Sequence, residues 1–236
     1  MFQRYISILL FSLSTPLFSA GPTLHLWTAE KYCQIRGITD EETIRQIIIG
    51  TEFPDIRYIT PISREQTHPI VSDISQITGT PFEIGMKIHS WLDTTRENLI
   101  QQEVYDAIAP YAQGHSYTLL KFVEEEILAD FYDGTKWLST FNDILADELP
   151  YAPEATIAKW HDTIQWTLTL RPSWLLWGQS YRGRAFGLSE TTLYDWSYLL
   201  PKLKHKPLFK THLQTLLTHI ETKLLYQNNM KNREFD

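Results

Sequence analysis

The chain has 236 residues and a formal net charge of −7, long enough for one large domain or two small ones around a substantial core. The acidic balance weighs against a nucleic-acid-binding surface, because phosphate contacts need clustered Lys and Arg. Hydrophobic content of 43% against 21% charged residues excludes a disordered chain.

Residues 1–20 read as an export signal. Arg4 is the sole charge before Glu30, an apolar stretch runs from Tyr5 to Leu13, and Pro16 breaks it. The small residues Ser19 and Ala20 offer a cleavage site before Gly21, or one residue earlier. The stretch is too short to span a bilayer comfortably, the alternative being an apolar first helix or an uncleaved anchor, and no later segment reads as transmembrane. Signal removal would leave a periplasmic or secreted protein. The single Cys33 cannot form an intrachain disulfide, has no activating neighbour, and is assigned to packing.

Helical periodicity prevails through the rest. A first helix is predicted over Thr23–Ile35, ending near Gly37. A second opens at Thr39–Asp40, whose side chains can cap it, and carries the stripe Ile44, Ile47 and Ile48 up to Gly50. Pro54 stops regular structure and puts Asp55 in a loop. The stretch through Pro61 and Pro69 reads as an extended connection bearing His68. Thr80, Pro81 and Glu83 then form a capping box with proline at the first helical position. On the helix they start, His89 and Asp93 stand four residues apart and share one face. Gly85, a turn earlier on that face, leaves room for another helix or a ligand. Further helices are predicted over 101–109, 115–132, 135–148, 153–170, 189–199 and 207–227. The fold class is all-α: a hydrolase-type domain over 21–228, then a polar, fraying tail over 229–236.

The chemistry-bearing residues are His25, Asp55, His68, His89 and Asp93. Imidazoles and carboxylates suit Zn²⁺ or a similar divalent ion, and an i, i+4 His/Asp pair can converge on one ion or bridge two. Each has a bland alternative. A lone imidazole is most often a surface or hydrogen-bonded core residue, an Asp after Pro often makes a turn, and Asp93 could pair with Arg96 or Arg64.

Taken in order, the helical H-x-x-x-A-E-K at His25, G-x-x-x-P-D-I ending at Asp55 and Ile56, the lone His68, and G-x-x-x-H-x-x-x-D from Gly85 to Asp93 resemble the zinc-dependent phospholipase C family. That family shares its all-α fold with the S1/P1-type nucleases, and the resemblance covers roughly residues 23–100. It implies that Asp55, His68, His89 and Asp93 hold one metal, with Asp93 bridging to a second that His25 also binds. The chain departs from the family at four places, one of them the short gap from His68 to His89. Trp27 lies inside the first helix and cannot be the metal-binding N-terminal tryptophan. Leu99 stands where the family has a histidine six residues after the bridging aspartate, and His115 is followed by Leu119 where a glutamate would complete His-x-x-x-Glu. The resemblance therefore implies one or two zinc ions, with the third site incomplete. His115, after Gly114 at a helix start, either lines the site or caps the helix.

Other features carry less. His205, His212 and His219 recur every seven residues, about 10 Å of helical rise, too far for two imidazoles to share an ion; they read as a partly exposed stripe. His161–Asp162 reads as a polar face. The run Glu124–Glu126 reads as solvated, with room for one member to turn toward the site. Trp174 and Trp177 read chiefly as core packing, the alternative being a lipid or choline-like contact surface. Arg182 and Arg184 read as solvated, with a phosphate contact as the alternative.

The function expected is an exported zinc-dependent phosphodiester hydrolase resembling phospholipase C, with Asp55 or Asp93 orienting the attacking water and phospholipid as substrate. Peripheral membrane contact accompanies that expectation. Two alternatives stand beside it. One is a non-catalytic helical protein that binds lipid or a partner and keeps a structural or vestigial metal site. The other is an S1/P1-like nuclease.

Overall fold

A computed structural model describes residues 20–181 and 187–233, with side chains described as far as Tyr226. The segment read as an export signal lies outside the described residues except for Ala20, as do Arg182 and Arg184.

The architecture is a single all-α domain with no strand among the described residues. Helix α1 (Pro22–Arg36) starts on a proline and ends before Gly37. Helix α2 (Glu41–Glu52) is capped by Asp40, whose carboxylate accepts the Thr43 N–H at 2.8 Å. Asp55 then falls not in a loop but in a 3₁₀ helix, Phe53–Tyr58, with Pro54 in its first turn, where the missing N–H costs nothing. The connection bearing His68 contains a one-turn helix, α3 (Arg64–Thr67), whose C-cap is His68 itself.

Helix α4 (Pro81–Leu99) opens on the predicted capping box: Thr80 N–H donates to Glu83 at 2.9 Å, and Glu83 N–H to the Thr80 hydroxyl at 3.3 Å. It packs most extensively on α2. Gly85 permits this, since a Cβ there would strike the backbone of Ile47, Gly50 and Thr51. The small residue thus brings another helix against the face that carries His89.

Helices α5 (Gln102–Ile108), α6 (Ser116–Leu128), α7 (Glu154–Thr169), α8 (Pro172–Ser180), α9 (Glu190–Leu203) and α10 (Pro207–Arg233) complete the domain. Two predictions fail here. Residues 135–148 form no α-helix but 3₁₀ segments at Gly134–Asn142 and Ala146–Glu148; Ser139, Thr140, Asn142 and Asp143 lie where such side chains compete for the backbone. The helix α8 was not anticipated. The polar tail continues α10 as far as Arg233.

Helix α6 is buried on nearly every face, which overturns the expectation that Glu124–Glu126 are solvated. Glu124 accepts from Arg96 Nε at 2.6 Å and lies 3.0 Å from His212 Nε2. Glu125 accepts the Thr23 and Leu24 N–H groups of α1, both at 2.9 Å. Glu126 accepts the Ser173 N–H of α8 at 2.9 Å. Two of the three thus terminate the N-terminal donors of neighbouring helices, where a carboxylate is favoured by the dipole. His161 is likewise no surface residue: it is buried, with Nε2 2.8 Å from Glu148. Of the supposed His stripe, His212 is buried, His219 half-buried and His205 exposed.

Candidate metal centre

Five side chains from α1, the Phe53–Tyr58 turn, the end of α3 and α4 meet in the interior. His25 Nε2 lies 3.4 Å from Asp93 Oδ1, and His89 Nε2 lies 3.4 Å from Asp93 Oδ2. His68 Nε2 is 3.8 Å from Asp93 Oδ2 and 3.9 Å from Asp55 Oδ1, and His89 Nε2 is also 3.9 Å from Asp55 Oδ1. Two overlapping groups, His25/His89/Asp93 and Asp55/His68/His89, each bring three donor atoms close enough to share a cation. The rings of His25 and His89 stack in parallel at 3.8 Å.

These separations are too long for good hydrogen bonds. They match something else: donors about 2.0–2.1 Å from a tetrahedral ion stand roughly 3.4 Å apart. The tautomers agree. His89 Nδ1 lies 2.8 Å from the Thr51 carbonyl, which only accepts, so the proton sits on Nδ1 and Nε2 presents a lone pair. His68 Nδ1 lies 3.0 Å from Thr67 Oγ1, whose own proton goes to the Pro54 carbonyl at 3.1 Å; Nε2 is again left bare. Nε2 of His25, His68 and His89 has no hydrogen-bond partner among the described residues although all three are buried. Three orphaned imidazole nitrogens beside two carboxylates fit a divalent cation, and the fixed Nδ1 atoms of His68 and His89 are the support such ligands need, while His25 Nδ1 has no partner among the described residues.

Burial depresses His25 to a pKa of about 4, with His89 adding to the effect. Burial depresses His68 to about 3, again reinforced by His89. Burial works against the charged form of His89 too, but Asp93 and Asp55 lift it above the ordinary value. Asp93 falls well below the usual carboxylate range because His89 and His25 outweigh its burial. Neutral His25 and His68 beside ionised carboxylates are the protonation states a cation requires, whereas His89 would have to release a proton as the cation binds.

The bland alternative for Asp93 is partly realised. Arg64 Nη2 stands 3.4 Å from Oδ2, whereas Arg96 is committed to Glu124. The Ala20 N–H donates to Asp93 Oδ1 at 2.8 Å. His115 is exposed, makes no side-chain capping bond, and belongs to neither donor group. Cys33 is buried, and its thiol is pushed up to about 12 by that burial, in keeping with a packing role.

Sequence reasoning missed two charged neighbours. Glu52 is buried with no hydrogen-bond partner for Oε1 among the described residues; burial, then Asp55 and Glu125, push its carboxyl well above the usual range. Lys121 is buried on α6, its pKa lowered by burial against the pull of Asp55. Glu52 sits one helical turn before Asp55, and Lys121 is i, i+4 to Glu125; those spacings were the available signals. Trp174 and Trp177 are 66% and 47% exposed, against the expectation that they pack in the core. They line a groove of about 680 Å³ with Leu170, Tyr198 and Pro201. No helix among the described residues is long and apolar enough to cross a membrane.

No family model, curated protein or solved structure matches this chain.

Proposed function

We propose that the protein is a metal-dependent phosphodiester hydrolase of the phospholipase C type, exported from the cell and using one or two zinc ions. What supports the reading is the convergence of three bare Nε2 atoms on Asp55 and Asp93 at ligand-to-ligand spacing, together with the order of those residues along the chain. Asp55, His68, His89 and Asp93 Oδ2 would hold one ion, and Asp93 Oδ1 with His25 a second. When bound, the ions supply Lewis-acid charge to a phosphoryl oxygen and make water a competent nucleophile near neutral pH. Asp55 is the ligand carboxylate with more access to solvent, its side chain 15% exposed against 4% for Asp93. It would therefore be the carboxylate placed to orient the water, while Asp93 would keep the two halves of the cluster in register. Phospholipid is the substrate this reading favours, and the exposed Trp174 and Trp177 give an aromatic surface suited to a lipid interface.

One observation favours a second reading. The imidazoles are only 0–7% exposed, and closed sites are characteristic of structural ions; a non-catalytic lipid- or partner-binding protein would be built this way. Turnover separates the two. Chelator-sensitive hydrolysis of phosphatidylcholine, a generic phosphodiester and single-stranded DNA, with His89→Ala as control, tests the enzyme directly. Activity on the first two that is lost in the variant supports the proposal; preference for DNA would support the nuclease branch. Wild type and variant behaving alike on all three would leave only the structural site. Export is tested separately, by mapping the N-terminus of the mature protein for cleavage beside Ala20.

A further inference from the structure

Two arginines stand beside the carboxylates of the cluster. Arg64 Nη2 lies 3.4 Å from Asp93 Oδ2, and its side chain is 45% exposed while Asp93 is 4% exposed. It thus runs from solvent to a buried ligand carboxylate. Arg64 also opens α3, and the His68 N–H donates to its carbonyl at 2.8 Å, so one rigid turn carries both a cluster imidazole and this guanidinium. Arg57 Nη2 lies 3.6 Å from Asp55 Oδ1 and donates to the Tyr58 hydroxyl at 2.8 Å. Its guanidinium sits 4.4 Å above the Tyr58 ring, and its buried Nε has no hydrogen-bond partner among the described residues. The two carboxylate oxygens they approach, Asp93 Oδ2 and Asp55 Oδ1, lie 3.8 and 3.9 Å from His68 Nε2 and 3.4 and 3.9 Å from His89 Nε2, so both guanidinium groups reach toward the same pair of imidazoles.

Neither arginine is well satisfied by its carboxylate. Contacts of 3.4 and 3.6 Å are longer than charge-assisted hydrogen bonds, and a planar guanidinium can form two parallel bonds to an oxyanion. A cation on Asp55 and Asp93 would draw carboxylate charge away from both arginines and free their donors for another acceptor.

We propose that Arg64 and Arg57 form a two-guanidinium seat for the non-bridging oxygens of a tetrahedral oxyanion, so that the site selects anionic phosphoryl groups over neutral esters. This inference rests on the metal-dependent reading above. It gives Arg64 opposite effects on two ligands: it competes with a cation for Asp93 and assists an anion.

The test uses the full chain loaded with zinc, with inorganic phosphate as probe, followed by calorimetry; zinc affinity is measured in parallel by competition with a chromophoric chelator. In Arg64→Gln, phosphate affinity should fall about tenfold or more while zinc affinity holds or rises. Arg64→Lys should fall between, since an ammonium restores charge without the planar fork. The inference is overturned if zinc-loaded wild type ignores phosphate, if Arg64→Gln binds phosphate as tightly as wild type, or if zinc and phosphate affinity fall together, as a structural role would require. Failure of wild type to take up zinc at all would instead remove the metal-dependent reading, and this inference with it.

Discussion

The Thr51 carbonyl oxygen lies 2.8 Å from Nδ1 of His89. Thr51 belongs to the last turn of α2, where carbonyls lack intrahelical partners, and it fixes both tautomer and ring direction of a residue shared by both donor groups. The contact depends on Gly85, which with Gly50 on the facing helix is small enough to let α2 lie against α4. Gly85→Ala should force the helices apart, weaken zinc binding by about 10- to 100-fold and lower stability by about 1–3 kcal/mol. Chelator competition and urea denaturation check both; an alanine variant with unchanged zinc affinity would show that the carbonyl does not position the ring.

Acid should weaken the metal-free fold. His25 and His68 titrate at about 4 and about 3 in the folded chain, against 6.5 ordinarily. Below 6.5 the unfolded chain binds protons that the folded chain refuses, so stability is complete above that pH and declines as pH falls toward the folded values. The lowered Asp55 and Asp93 act in the same sense at still lower pH. His89, raised by its carboxylates, and Glu52, raised by burial, act oppositely: their contributions are present below the ordinary values and fade as pH rises through the folded ones. Urea midpoints of chelator-stripped protein should drop between pH 7 and pH 4.5, and His68→Gln should flatten the slope. A midpoint that rises on acidification would contradict the protonation states assigned to the cluster.

The Arg96–Glu124–His212 network should matter for folding and not for the ion. Glu124 bridges α4 and α10, and removing it takes a carboxylate away from a fully buried guanidinium. Glu124→Ala should cost about 3–5 kcal/mol, read by urea denaturation, with zinc stoichiometry intact in whatever fraction stays folded. A near-neutral variant would mean that water or other groups readily replace the carboxylate.

The exposed indoles give a further check. Trp174→Ala with Trp177→Ala should reduce sedimentation with phosphatidylcholine vesicles several-fold while leaving hydrolysis of a soluble phosphodiester unchanged. Equal vesicle binding by the double variant would remove the lipid-facing role of this surface.

Local signals placed much of this architecture. Asp40, Thr80 and Glu83 set the starts of α2 and α4 through caps made within a few residues, and the i, i+4 spacing of His89 and Asp93 set their common face. What sequence could not supply was the depth of each element. Three successive glutamates look solvated until α6 proves to be enclosed, and each then finds a different partner across the domain. Glu52 and Lys121 escaped notice for the same reason, since their company is tertiary. Pro172 at the first helical position did carry a helix-start signal for α8, but the neighbouring tryptophans suggested core where the chain turns them outward.

The most direct measurement is titration of the chelator-stripped full chain with cobalt(II), read by visible absorption, and with zinc, read by elemental analysis after dialysis. The account predicts at least one tightly held ion per chain, a four-coordinate cobalt spectrum, and loss of both in the Asp93→Asn and His89→Gln variants. Binding no stronger in wild type than in those variants would contradict it.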